Sequence, residues 1–431
     1  MPGPDGRFLS GAGQALLYAR IALATAARYA LRPADFGWSP VAYARFLIRA
    51  LRLLLVFRDN KPVRTHAGWK IDLYLPAYPS RAFFYSLEAK LLAAAPMPLT
   101  VVFSLTKACG YKCAHCYQHK DGGDDLPEDL LLKAARDMQD LGVAMFDIEG
   151  GEPLLRPQRL ANLLRALDER SELWVNTTGA GLKPELLAEL KAARLFGVMI
   201  SIHSPDPAVH DGLTGVPGSF DTACAAARAF RAAGLVVAVN SVLSEPEIRA
   251  GGLERLMELS RSLDADFVQL IHPKPAGNWL GRRENMQKDA AVIEQVRALH
   301  RRYNGSGGGY PCLVSQVLEE AEDRLGCTAG GVDRFYLNAY GEVQPCEFLN
   351  ISFGNLREEP LKVIMERMRS YFPEPCSDWL CCTQGPEIDR LFREHKLERT
   401  PLPWRVTKTL VEKWRRGEPT ALYRKLGLYR K

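Results

Sequence analysis

The chain has 431 residues, 47% of them hydrophobic, ample for a barrel-sized core and a small second domain. Its ten cysteines, with no signal-peptide architecture in Met1–Ser10, argue against a disulfide framework and for metal ligation in a reducing compartment. No uninterrupted run of about twenty apolar residues occurs, so no membrane span is expected. The net charge of +6 is unevenly placed: +5 through Asn60, +7 from Pro401 onward, and therefore −6 in between.

In chain order, Gln14–Leu31 is apolar with Arg20 and Arg28 set into it. Val41–Phe57 reads as a basic amphipathic helix. Arg45, Arg49 and Arg52 share one face, and Phe46, Leu47, Leu53, Leu54 and Phe57 cover much of the rest. Such helices either lie in a membrane interface or pack on a protein body with their arginines in water, and both readings stay open. Residues 1–95 are taken as a helical extension. No recognised nucleic-acid module accompanies the charge, so nucleic acid is not an expected partner.

From Leu99 to about Tyr303 strand-like and helix-like segments alternate. The strands are Leu99–Leu105, Val143–Ile148, Leu173–Asn176, Gly197–Ile202, Val236–Val242 and Phe267–Ile271. Between them run amphipathic helices such as Pro127–Leu141, and Pro184 opens another. Six successive βα units imply a parallel sheet with helices outside, curled by right-handed crossovers. In such folds chemistry gathers at the carboxyl ends of the strands.

Two strand ends carry that chemistry. After the first come Cys109, Cys113 and Cys116 in one tight loop, with His115 before the third cysteine and Tyr117 after it. Three thiolates can hold three irons of a four-iron cubane and leave the fourth open to a ligand; a zinc site is the plainer alternative. After the second strand comes Gly150-Gly151-Glu152-Pro153, where two glycines permit close backbone approach beside a carboxylate.

The cysteine spacing, followed one strand later by this turn, resembles the radical SAM superfamily. The resemblance implies a partial (β/α)6 TIM-like barrel over 96–305. It implies a 4Fe-4S cluster on Cys109, Cys113 and Cys116 whose open iron chelates S-adenosylmethionine. Gly150, Gly151, Glu152 and Pro153 would hold the amino group of its methionine moiety. Asn176, Thr177, Ser201, His203 and Asn240, at or near later strand ends, would meet the carboxylate and ribose; capping of backbone groups is the equal alternative. His210–Phe220 resembles a segment that in many relatives carries an arginine where Thr214 stands, which removes one expected carboxylate contact.

Past the barrel, Arg334–Ala339 and Glu342–Pro345 read as a hairpin around Tyr340-Gly341. Cys327 and Cys346 flank it, and Phe353–Leu356 follows. This stretch resembles a SPASM or twitch domain, which carries auxiliary iron–sulfur clusters. The α+β domain is placed at 306–395. A full SPASM domain has seven cysteines; here Cys327, Cys346, Cys376, Cys381 and Cys382 are available, with Cys312 upstream, enough for one auxiliary 4Fe-4S cluster. Cys327 and Cys346 are its expected ligands, Cys376, Cys381 and Cys382 compete for the remaining places, and structural zinc stays open. Cys224 is expected to be a small buried hydrophobe. A basic amphipathic tail, 396–431, completes the chain, with Trp414, Leu422, Tyr423, Leu426 and Tyr429 among its apolar residues.

The resemblance implies reductive cleavage of S-adenosylmethionine to a deoxyadenosyl radical and hydrogen abstraction from an unactivated C–H bond, with an external flavodoxin- or ferredoxin-like donor. The basic, aromatic ends favour a lipid or other hydrophobic substrate at a membrane surface. The alternatives are maturation of a ribosomally made peptide and, from another class, a non-catalytic metal-binding scaffold. The expected location is cytoplasmic, with peripheral contact on the inner face of the membrane left open.

Overall fold

The computed structural model describes residues 6–93, 97–282, 289–305, 309–413 and 417–428. Trp414 and Tyr429 of the tail lie outside them. Three helices open the chain: α1 (Ala12–Ala30), α2 (Pro40–Val56) and α3 (Arg81–Leu91). Pro40 at the first turn and the Ser39 hydroxyl, accepting from Ala42 N–H at 3.2 Å, start α2. Ile21, Tyr29, Phe46, Phe84 and Leu87 pack the three together. The 1–95 stretch is not wholly helical. Between α2 and α3 lies a short hairpin, β1 (Val63–Thr65) and β2 (Gly68–Lys70), too brief for a period-2 signal to stand out.

Among the described residues the main sheet has nine strands. Seven follow in chain order: β3 (Thr100–Ser104), β4 (Met145–Glu149), β5 (Glu172–Thr177), β6 (Gly197–Ser201), β7 (Val236–Val242), β8 (Phe267–Ile271) and β9 (Cys312–Ser315). All six expected barrel strands are present, two with the bounds read from sequence. β10 (Arg334–Leu337) and β11 (Val343–Gln344) form the expected hairpin. The hairpin is not separate from the barrel: β10 pairs in parallel with β3, Arg334 opposite Thr100 and Leu337 opposite Phe103. The order is therefore β11-β10-β3-β4-β5-β6-β7-β8-β9. No described pairing joins β9 to β10 or β11, so the barrel keeps an open seam there.

Alternation along the strands sorts the side chains. Val101, Phe103, Phe146, Ile148, Val175, Val198, Ile200 and Val239 pack outward against helices such as Glu128–Asp140 and Ser219–Ala232. Inward, the lower layer is apolar. Met145, Trp174, Met199, Ala238 and Phe267 close on Leu73 and Ala77 of the segment after β2. That segment plugs the barrel floor through a buried ion pair, Lys70 Nζ to Glu172 at 2.5 Å, and Ala77 N–H to the same carboxylate at 2.8 Å. The upper inward layer is polar: Ser104, Asp147, Asn176, Ser201 and Asn240. A dry floor and a polar mouth place any ligand at the carboxyl edge.

Candidate active site

The cysteine loop is held on three sides by backbone. On one, Gly151 N–H donates to Thr106 C=O at 2.6 Å and Glu152 N–H to Ala108 C=O at 2.8 Å. A Cβ on Gly150 would lie 2.3 Å from Thr106 O, and one on Gly151 2.4 Å from Ala108 O. The close approach that the two glycines permit is to the cysteine loop's own backbone. On the second side Lys112 N–H donates to Thr214 C=O at 3.0 Å and Ala114 N–H to Leu213 C=O at 2.8 Å. Thr214 is buried, its hydroxyl 2.6 Å from Ser219 Oγ, which fixes the backbone carbonyl that braces the loop. On the third, Asn278 N–H donates to Cys116 C=O and its side chain to Cys113 C=O, both at 3.1 Å. Gly277, at φ +55°, lets this contact form: its Cβ would lie 2.4 Å from Cys116 O. Sequence reasoning missed Gly277 and Asn278, although they lie shortly after β8, where a barrel gathers ligands.

The remaining expected residues divide into frame and lining. Glu152 is buried and its carboxylate fully engaged. One oxygen accepts from Thr177 Oγ1 at 2.6 Å and Leu154 N–H at 3.1 Å, the other from Thr178 N–H at 2.7 Å and Oγ1 at 2.6 Å. Glu152, Thr177 and Pro153, the first residue of the turn Pro153–Leu155, thus tie the ends of β4 and β5 together. Asn176 Oδ1 and Asn240 Oδ1 are buried without a hydrogen-bond partner among the described residues, as is Ser104 Oγ. Ser201 lies directly opposite Asn240 in the β6–β7 register. Asn176 Oδ1, Asn240 Oδ1 and Ser104 Oγ are thus among the polar atoms open to a ligand. His203 lies beneath the loop, its ring 4.1 Å from that of His115 and 5.8 Å from that of His210. Burial pushes His115 down to about 4 and His203 well below the usual imidazole range, so both are neutral near pH 7. Glu149, also missed, is buried at the end of β4 and accepts from Tyr117 Oη and from Gln118 Nε2 at 3.0 Å.

The donor set fits an iron–sulfur cluster. Burial, then the neighbouring thiolates, pushes Cys113 up to about 12, and burial pushes Cys116 up to about 11. Left as thiols they stay protonated; positive iron is what would stabilise three adjacent thiolates. Further along, Cys327, Cys346 and Cys381 line one small cavity with Lys274, Gln316, Glu320, Arg334 and Trp379. Cys327 N–H donates to Cys376 C=O at 2.7 Å, and the Cys376 thiol donates to Cys327 sulfur, holding it below the usual thiol range. The sulfurs of Cys327, Cys346, Cys376 and Cys381 thus gather at the hairpin, with the Cys382 thiol in hydrogen-bond contact with Cys381. Neither Cys376 nor Cys382 itself lines that cavity, Cys312 lies in β9 against the barrel floor, and Cys224 is buried in the Ser219–Ala232 helix. Among the described residues no three His, Cys, Asp or Glu side chains converge as the ligands of a single ion do.

Comparison with known proteins agrees with this geometry. Residues 103–247 match the family model of the Radical SAM superfamily, and 327–383 that of SPASM, an iron–sulfur cluster-binding domain. A curated relative, the AdoMet-dependent heme synthase of Methanosarcina barkeri, is 24% identical over 298 residues, 64% of this chain and 84% of that protein. Among solved structures the chain resembles Streptococcus suis SuiB bound to precursor peptide SuiA, at 19% identity and a TM-score of 0.51. That match covers 62% of this chain and 64% of SuiB; SuiB bound to S-adenosylmethionine matches with a TM-score of 0.50. At such identity the likeness is one of fold.

Proposed function

The chain is a member of the radical SAM superfamily with a C-terminal SPASM domain, and from that premise we propose that it abstracts hydrogen from an unactivated C–H bond of a hydrophobic, lipid-like substrate. Cys109, Cys113 and Cys116 would hold the 4Fe-4S cluster. The backbone of Gly150–Pro153, with Asn176, Ser201, His203 and Asn240, would receive S-adenosylmethionine; Glu152 and Thr177 act by bracing that turn. Cys327, Cys346, Cys376 and Cys381 would hold the auxiliary cluster. When bound, these groups supply an electron that cleaves S-adenosylmethionine and a deoxyadenosyl radical that takes the hydrogen.

The protein contributes position and dryness. Three backbone clamps fix the cysteine loop over the barrel mouth, and the apolar floor keeps bulk water out from below. His115 and His203 stay neutral beside the loop, adding no charge to it. The observation that carries the reading is the three-thiol loop bonded directly to the Gly150–Pro153 turn above a polar inward layer.

The test is anaerobic reduction with dithionite and chromatography for 5′-deoxyadenosine and methionine. Wild type is expected to form both, and a Cys109/Cys113/Cys116→Ala variant neither. Intact S-adenosylmethionine with fully iron-loaded wild type would leave a metal-binding scaffold in its place. A peptide substrate, as bound by SuiB, is the competing enzyme reading. The lipid reading is favoured by where exposed large apolar side chains concentrate: Leu16, Leu23, Leu31, Trp38, Val41, Ile48, Leu51 and Leu55 belong to the α1–α2 region, and among the described residues only Leu155, Val209 and Val363 lie elsewhere. No described helix is long and apolar enough to cross a membrane, so contact would be peripheral. The electron donor would be an external flavodoxin- or ferredoxin-like protein.

A further inference from the structure

A cavity of about 380 Å³ runs from the α1–α2 pair, past α3, to the open seam of the barrel. Its outer end is formed by Leu23, Ile48 and Leu51, which are themselves 72%, 50% and 42% exposed. Ile21, Leu54 and Leu87 line the middle. The inner end changes character. Gln269 of β8, Gln316 just after β9 and Arg334 of β10 line it, and Gln269 Oε1, Gln316 Oε1 and Arg334 Nε have no hydrogen-bond partner among the described residues. Both glutamines are more than nine-tenths buried. Buried amide oxygens without partners are costly, and a ligand that donates to them recovers that cost. Gln316, Glu320 and Arg334 also line the cavity of Cys327, Cys346 and Cys381, so the polar end adjoins the auxiliary site.

Both cations at the inner end are already paired with carboxylates. Arg334 pairs with Glu320 at 2.8 Å and Glu347 at 3.8 Å, and Lys90 pairs with Asp333. Asp72 and Glu319 share the Asn60 amide, each at 3.0 Å, and burial raises both carboxyls. An anionic head would meet no free cation among the described residues, whereas a hydroxyl can donate to one of the two open amide oxygens and accept from Arg334 Nε. The outer end has a matching environment. Arg49 donates to the carbonyls of Leu426 and Gly427, and Arg52 to that of Lys425. This brings the two basic ends of the chain together beside the apolar mouth, with Arg45, Arg424 and Lys425 exposed. Apolar side chains ringed by basic ones suit an anionic bilayer surface.

We propose that this seam cavity binds a long-chain lipid with an uncharged, hydroxyl-bearing head, drawn from a bilayer on which the exposed α1–α2 face rests. The inference rests on the function proposed above and names its substrate class. Chain carbons lie between the helices, and the head sits at Gln269, Gln316 and Arg334.

The test uses the full chain and vesicles of phosphatidylcholine with a minority of phosphatidylglycerol, carrying a fluorescent long-chain alcohol. Protein is re-isolated and the label counted. Wild type is expected to carry equimolar label. Leu23→Glu/Leu51→Glu is expected to lower uptake at least roughly tenfold, and Gln316→Leu to weaken the alcohol roughly fivefold relative to the corresponding alkane, the size of one hydrogen bond. Circular dichroism melting confirms that each variant folds. No uptake by wild type, uptake indifferent to Leu23→Glu/Leu51→Glu, or preference for a fatty acid over the alcohol would overturn the proposal. Uptake needs no iron, so the two readings fail separately. A chain that takes label but leaves S-adenosylmethionine intact overturns only the enzymatic reading; one that cleaves it and takes no label overturns only this one.

Discussion

Asp147 shows how the barrel interior loads individual groups. It faces inward from β4, 2% exposed, with Oδ1 unpartnered among the described residues. Burial first, then the nearby Glu347 carboxylate, pushes it up to about 7. A carboxyl raised in the folded state contributes stability that is present below its unfolded value, near about 3.9, and is lost as pH rises through about 7. Wild-type Tm is therefore expected to fall between about pH 4 and 7. Asp147→Asn should flatten that slope, and parallel wild-type and variant curves would refute the assignment. Asp121, also pushed up to about 7 by burial, leaves a residual slope in the variant. Nothing in the local sequence Met145–Glu149 distinguishes Asp147 from a surface carboxylate. Its environment comes from β10 and the Glu347 segment, about two hundred residues away.

At the scale of elements, α2 corrects a reading made from its own pattern. Arg45, Arg49 and Arg52 share a face, as the helical period requires, but they do not share a role. Arg49 and Arg52 cap the last carbonyls of the Ala421–Leu426 helix, a favourable place for a guanidinium. Burial lowers the Arg49 pKa, yet the guanidinium remains charged. Removing both is expected to cost about 1–3 kcal/mol locally. Hydrogen exchange in an Arg49→Ala/Arg52→Ala variant should accelerate over 421–427 while the barrel strands keep their protection. Unchanged exchange there would show that the contact contributes nothing. Arg45 and Arg52 are both exposed, but Arg52 also donates to the Lys425 carbonyl, so a charge-reversal test of membrane attachment belongs at Arg45.

For the whole molecule the decisive feature is the pairing of β10 with β3, which makes the SPASM hairpin a continuation of the barrel sheet. The auxiliary cysteines therefore stand in fixed relation to the barrel seam. A chain ended at Gly326 would lose β10 and bare the β3 edge over Thr100–Phe103, an invitation to intermolecular pairing. Size-exclusion chromatography is expected to show aggregate, and a monodisperse barrel would overturn the claim that the two parts fold as one sheet.

The barrel strands, the cysteine loop, the Gly150–Pro153 turn and the hairpin around Gly341 were legible because each is local. Alternation, helical period and motif spacing act over a few residues and need no partner. What no window could contain was set by contacts between distant segments. The hairpin joins β3 more than two hundred residues upstream. Glu152 is consumed by Thr177 and Thr178, and Gly150 and Gly151 are required by the cysteine loop's own carbonyls. Which cysteines share the auxiliary cavity, and the cavity that ties exposed α1–α2 side chains to the barrel seam, arise only on packing. Local chemistry determined the class of reaction; the closing of the sheet decided what each group is free to touch.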